Sequence, residues 1–262
     1  MRTLVLAALA LTLLLPAASA SAATEVQAVG PVQATLAYAD EPAEEYGVCR
    51  TGWHLTIARD GRPLYDGAVP AGEGPDTPPE PCAPASPEGR PGKALRIVDL
   101  EGDGEPEVMV TLFSGGAHCC YSADIWRLAP DGSGYTVSAH GFGDPYFALE
   151  DLDGDGRPEF RSADATFAYL FSSFAASAMP VLVYRYAAGE LTDVTGAFPK
   201  LVRMDARRWR RAYRHRRGRR DGEQLGPLAA WAADQLRLGH ADRVRRTLRA
   251  ELRHGRLRGP LG

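Results

Sequence analysis

Two nine-residue acidic turns of one design constrain this chain more than any other feature. Asp99-Leu-Glu101-Gly-Asp103-Gly-Glu105-Pro-Glu107 is followed, 52 residues on, by Asp151-Leu-Asp153-Gly-Asp155-Gly-Arg157-Pro-Glu159. Each places carboxylates at positions 1, 3, 5 and 9 and glycine at 4 and 6. Four carboxylates in one turn repel each other unless a cation joins them. A hard cation such as Ca²⁺ takes six to eight oxygens at about 2.3–2.6 Å, and glycine lets the backbone wrap it. A main-chain carbonyl at position 7, from Glu105 or Arg157, completes the set.

This is not the helical EF-hand loop, which needs a bidentate Glu at position 12. Val110 and Ser162 stand there instead. The flanks read as strands: Leu95-Arg-Ile-Val and Val108-Met-Val-Thr-Leu around the first turn, and Tyr146-Phe-Ala-Leu before the second. The unit is therefore strand, acidic turn, strand.

At these residues the chain resembles the FG-GAP/VCBS repeat family of calcium-loop proteins, over about 100 of its 262 residues. The resemblance implies Ca²⁺, one or two ions, as the cofactor. It implies ligation by Asp99, Glu101, Asp103, Glu107 and the Glu105 carbonyl, and by Asp151, Asp153, Asp155, Glu159 and the Arg157 carbonyl. Position 9 is usually Asp in that family and is Glu here in both turns. The Phe-Gly and Gly-Ala-Pro landmarks of the full repeat are not clear.

The first 22 residues read as a secretory signal: Arg2, an apolar run from Leu4 to Leu15, then small residues around Ala18-Ser-Ala20. No second apolar run of about 20 residues follows. The expected location is secreted, extracellular or periplasmic, with no transmembrane segment in the mature chain.

Charge divides the remainder. Residues 1–199 carry 11 basic and 27 acidic side chains, and residues 200–262 carry 19 and 6. The expected organisation is a signal over 1–22, a β-repeat domain over 23–199 and a basic helical region over 200–262. Residues 24–47 read as an irregular lead-in with one strand near Val32–Tyr38. Trp53 to Tyr65 reads as a hairpin about Asp60-Gly61. Residues 70–93, rich in Pro, Gly and Glu, read as an exposed loop.

After each acidic turn a further hairpin follows, about Asp131-Gly132 and Ala188-Gly189, which gives a repeat of about 50 residues. Closed propellers need about four to eight such blades, and at most three fit. The fold class expected is mainly antiparallel β, as incomplete propeller-like repeats carrying the calcium loops, followed by a small α-helical C-terminal region. In that region Val202, Ala206, Trp209 and Tyr213 recur at helical spacing. So do Leu228, Trp231, Ala232 and Leu236, ending at Gly239, and then Val244, Leu248 and Leu252.

Cys49, Cys82, Cys119 and Cys120 are even in number behind an export signal, which points to disulfides. Three pairings are open, among them 49–82 with a vicinal 119–120. Ser114-Gly-Gly-Ala-His118-Cys119-Cys120-Tyr121 reads as a tight glycine turn with a redox-stable pair, as a Cys–His nucleophile, or as a Zn²⁺ site.

Arg207 to Arg220 reads as a polyanion-binding surface or as a solvated helix face. Arginine outnumbers lysine 28 to 2, so its abundance alone says little. No His–Ser–Asp order or H-E-x-x-H motif is present. The function expected is an exported calcium-binding module, non-enzymatic, that binds an anionic surface polymer or a partner protein and no nucleic acid. The alternatives are a secreted hydrolase with a calcium-stabilised fold and a structural or regulatory companion.

Overall fold

The computed structural model describes residues 21–43, 47–70, 83–84, 93–114, 120–171, 173–217 and 223–257. The signal expected over 1–22 lies outside them, save for its last two residues, which begin the first strand. β1 (Ser21–Val29), β2 (Val32–Ala43), β3 (Gly47–Arg59) and β4 (Arg62–Ala68) form one antiparallel meander. The irregular lead-in expected over 24–47 is thus replaced by two long paired strands. Its polar alternation, as in Glu25-Val-Gln27, belongs to a strand whose Glu25 turns inward to cap the next sheet. Asp60 and Gly61 both take positive φ, 49° and 76°, the two-residue turn whose twist suits a hairpin.

The second sheet holds β5 (Ala83–Pro84), β6 (Leu95–Val98), β7 (Glu107–Phe113), β8 (Tyr121–Leu128) and β9 (Tyr135–Gly143). β5 and β6 both pair with β7, along different parts of it. The third sheet is β10 (Ala148–Glu150), β11 (Glu159–Ala163), β12 (Val181–Ala187) and β13 (Glu190–Asp193), again a meander. The exposed loop expected over 70–93 lies mostly outside the described residues.

The three sheets stack in chain order, and β7 shows why. Val108, Val110 and Leu112 face the first sheet, packing with Leu36, Leu55, Ile57 and Trp126. Met109 faces the other way, into a core with Ile125, Phe147, Phe160 and Tyr186. A strand buried on both faces reads as an unbroken apolar run rather than an alternating one. Glu25 also ties the first sheet to the second, its carboxylate accepting the Ala94 and Leu95 N–H groups at 3.2 and 3.1 Å.

Three helices follow: α1 (Pro199–Arg216), α2 (Leu225–Arg237) and α3 (Ala241–Arg253). Proline opens α1, where its missing N–H is no loss. Gly239, at φ 76°, closes α2. There the His240 N–H bonds the Gln235 carbonyl and the Gly239 N–H bonds that of Leu236, a Schellman cap.

Ala206, Trp209, Tyr213, Leu228, Trp231 and Val244 form the helical core. Val202 and Phe198 pack on Val181 and Val183 of β12, so the helices both pack together and cover the third sheet. Leu236 and Leu252 were expected on buried faces and are 55 % and 65 % exposed. Each lies in the last turn of its helix, beyond the reach of a partner. No helix among the described residues is long and apolar enough to cross a membrane.

Candidate metal centre

Each acidic turn links the first two main strands of its sheet, β6 to β7 and β10 to β11, and the two fold alike. Asp99 accepts the N–H groups of Gly102 and Gly104 at 2.6 and 2.9 Å; Asp151 accepts those of Gly154 and Gly156 at 2.7 and 3.0 Å. These four glycines have φ between 73° and 88°. That is the left-handed region where a side chain is disfavoured, and it is what aims their N–H groups at position 1. The position-5 carboxylates of Asp103 and Asp155 accept the position-7 N–H, both at 2.9 Å. The position-9 glutamates reach back to position 2, Glu107 to the Leu100 N–H at 2.8 Å and Glu159 to that of Leu152 at 3.0 Å.

Position 3 separates them. In the second turn, carboxylate oxygens of Asp151, Asp153 and Glu159 all lie within 4.8 Å of one another. A carboxylate has about four lone-pair sites, so the amide bonds leave oxygens for a cation. In the first turn no such trio forms among the described residues. Glu101 extends away, to Arg127 Nε at 2.7 Å and to the backbone N–H of Ala188. Glu105 pairs through its side chain with Arg59.

Arginines that sequence reasoning left aside compensate the acids. Arg185 bridges Glu159 and Asp153, the latter at 2.9 Å, and Arg157 holds Asp155 at 2.7 Å. Arg127 and Arg185 stand at matching places, one residue past the Val108–Trp126 pair of the second sheet and the Phe160–Tyr184 pair of the third. Arg59 is their counterpart in the first sheet, opposite Val32. The signal that would have revealed them is an arginine at, or within two residues of, the end of its strand, in Ala58-Arg59, Trp126-Arg127 and Tyr184-Arg185.

Burial pushes the Glu107 carboxyl up to about 7, with Glu101 and Asp103 adding to the rise and the Leu100 N–H opposing it. That value suits a general acid. The group is only 2 % exposed and its Oε2 is engaged by backbone, so it is no candidate for attacking substrate. The Arg157 hydrogen bond holds Asp155 below the usual carboxylate range. Residues 115–119 lie outside the described set, and with them His118 and Cys119, as does Cys82. Cys120 carries no free thiol. Its N–H bonds Ser114 Oγ at 2.6 Å.

No family model matches the chain, and no solved structure matches it. Among curated proteins, a probable thylakoid lumen protein of Synechocystis sp. is 34 % identical over 153 residues, 56 % of this chain and 44 % of that protein. An uncharacterized protein of Sinorhizobium fredii is 30 % identical over 146 residues, 53 % of this chain and 22 % of its own length. The matched part of this chain thus spans less than half the length of either relative.

Proposed function

We propose that this chain is an exported, non-enzymatic module whose stacked meanders are incomplete propeller-like repeats organised by Ca²⁺, and that it binds an anionic surface polymer or a partner protein. The observation that carries the calcium reading is the convergence of Asp151, Asp153 and Glu159 within a turn whose backbone pattern recurs at Asp99, Asp103 and Glu107. The second turn is the stronger site. There the charge of Arg185 already sits against two of the three carboxylates, and a divalent ion would take its place with twice the charge. The name of the Synechocystis relative is in keeping with export.

The test is calcium-dependent melting of chelator-stripped protein, with equilibrium dialysis for stoichiometry. At about 1 mM Ca²⁺ and a dissociation constant of about 0.1 mM, one site adds about 1.4 kcal/mol. Asp153→Asn keeps an acceptor for the Asp155 N–H and removes one charge, and it should abolish most of the shift. Identical melting with and without millimolar Ca²⁺ would sink the calcium reading.

A further inference from the structure

The C-terminal helices form a cleft of about 510 Å³ in which arginine is the commonest lining residue. Arg203, Arg207, Arg210 and Arg214 recur at i, i+4, i+7 and i+11 on α1, which sets them in one stripe. Arg211 flanks the stripe and Arg243 of α3 faces it across the cleft. The chain is rich in arginine throughout, 28 residues in all. That abundance does not explain why five of those on α1 line one concavity.

Like charges at i, i+4 on a helix repel, and Arg210 feels Arg214 in this way, offset in part by the charge of Glu251. Among the described residues no carboxylate forms an ion pair with Arg203, Arg207, Arg210, Arg211 or Arg214. The acids of the three helices are engaged elsewhere. Asp205 accepts from Val181 N–H and Trp209 Nε1, both at 2.9 Å, and meets Arg208 outside the cleft. Glu251 holds Arg217 and Arg256, at 3.1 and 3.3 Å. Asp242 holds Arg245 at 2.6 Å. Asp234 is wholly buried, and burial keeps its carboxyl protonated at neutral pH.

Arg210 is the most telling member. Its guanidinium lies over the Trp231 ring at 4.8 Å and near that of Tyr213 at 5.4 Å. Its Nη1 is buried and, among the described residues, has no hydrogen-bond acceptor. A buried N–H left without an acceptor costs about 1–3 kcal/mol. An arginine fork stacked on an aromatic face suits bidentate capture of an oxyanion.

We propose that this cleft is the binding site for a chain of phosphate groups, the anionic polymer of the function proposed above, on which this inference rests. The stripe runs for about 16 Å at 1.5 Å per residue. One free phosphate cannot span it, whereas successive phosphates of a linear polymer can. The volume suits a ligand of more than one anionic group.

The experiment titrates the full mature chain with linear polyphosphate, with inorganic phosphate, and with phosphatidylglycerol vesicles, all at 0.15 M salt and followed by calorimetry. Polyphosphate should bind at least 10-fold more tightly than the other two. Arg207→Gln/Arg211→Gln/Arg214→Gln changes only exposed positions and should weaken polyphosphate binding at least 10-fold. Arg246→Gln/Arg249→Gln/Arg253→Gln removes the same charge from exposed positions outside the cleft and should change it less than 3-fold. Arg210→Lys keeps the charge and loses the fork, and it should weaken binding while helix content by circular dichroism stays level.

Equal weakening by the two triple variants reduces the effect to net charge and overturns the site. So does binding of phosphate as tight as that of polyphosphate, or a vesicle affinity that exceeds it and needs the same arginines. Calcium melting of the first triple variant separates the two readings. A normal calcium shift with no polyphosphate binding in the parent protein rejects the cleft alone.

Discussion

Arg157 of the second acidic turn lies across Gly102 of the first. A Cβ at Gly102 would stand 2.3 Å from Arg157 Cγ and 2.4 Å from its Cδ, and the residue's φ is +73°. The two turns are therefore neighbours in space as well as copies in sequence. At Gly104, with φ +86°, a Cβ would meet nothing within 4 Å.

Gly104→Ala should then cost only the left-handed strain, about 1–2 kcal/mol. Gly102→Ala should cost more. Adding Arg157→Ala should recover that excess and leave Gly104→Ala unimproved. Urea denaturation of these four variants, the parent and Arg157→Ala alone measures it. An equal cost at both glycines, unmoved by Arg157→Ala, would show that the turns do not touch.

Arg185 should compete with Ca²⁺. It is held by Asp153 and by Glu159, which is 0 % exposed. Arg185→Gln leaves a buried carboxylate unpaired, and the calcium-free protein should lose on the order of 3 kcal/mol. The same change should tighten Ca²⁺ binding several-fold, because the ion no longer displaces a guanidinium. Calorimetric titration of Ca²⁺ into parent and variant decides it; weaker binding in the variant contradicts a shared position.

Asp205 fastens the helices to the third sheet through one oxygen, Oδ2, which accepts both the Val181 N–H and Trp209 Nε1. Asp205→Ala strands two buried donors at about 1–3 kcal/mol each. Hydrogen exchange should show faster exchange at Val181 and along α1, with β6 and β7 unchanged. Uniform acceleration across all three sheets would contradict the local role.

Asp234 should make stability fall with rising pH. Burial first, then the neighbouring Asp205, push its pKa from 3.8 to about 8, with Arg237 opposing. The folded chain keeps this proton where the unfolded chain releases it. The contribution is therefore fully favourable below about pH 4 and is lost progressively as pH rises toward 8. Asp234→Asn should raise the melting temperature more at pH 8 than at pH 5. A larger gain at pH 5 would reverse the sign of the argument.

Much of this architecture was legible because it is local. Glycine at positions 4 and 6 announced the acidic turns, Asp60-Gly61 its hairpin, and the spacing of Val202, Ala206, Trp209 and Tyr213 the face of α1 that is buried. Contacts between elements distant in sequence were not legible. Glu25 reads as surface until Ala94 and Leu95 arrive to donate to it, 69 and 70 residues later. Leu252 fits a helical stripe that ends before any partner does. The arginines of the candidate metal site were lost in the general abundance of arginine, since nothing in Tyr184-Arg185 says that Asp153 lies opposite. The run from Arg207 to Arg220 was visible as a basic stretch, but which of its arginines share a cleft, and that Arg203 joins them, depended on where α2 and α3 would fall.

One methylene separates Glu101 from its counterpart Asp153. Asp153 stays within its own sheet, where it meets Arg185 of β12, while Glu101 meets Arg127 of its own sheet and also reaches the backbone of Ala188, at the tip of the β12–β13 hairpin. The longer acid acts as a clasp between the second and third sheets. A cation that drew Glu101 back would have to open that clasp. At the second turn an ion would tighten a single loop; at the first it would loosen a seam, so equal affinity in the two turns would still produce opposite mechanical effects.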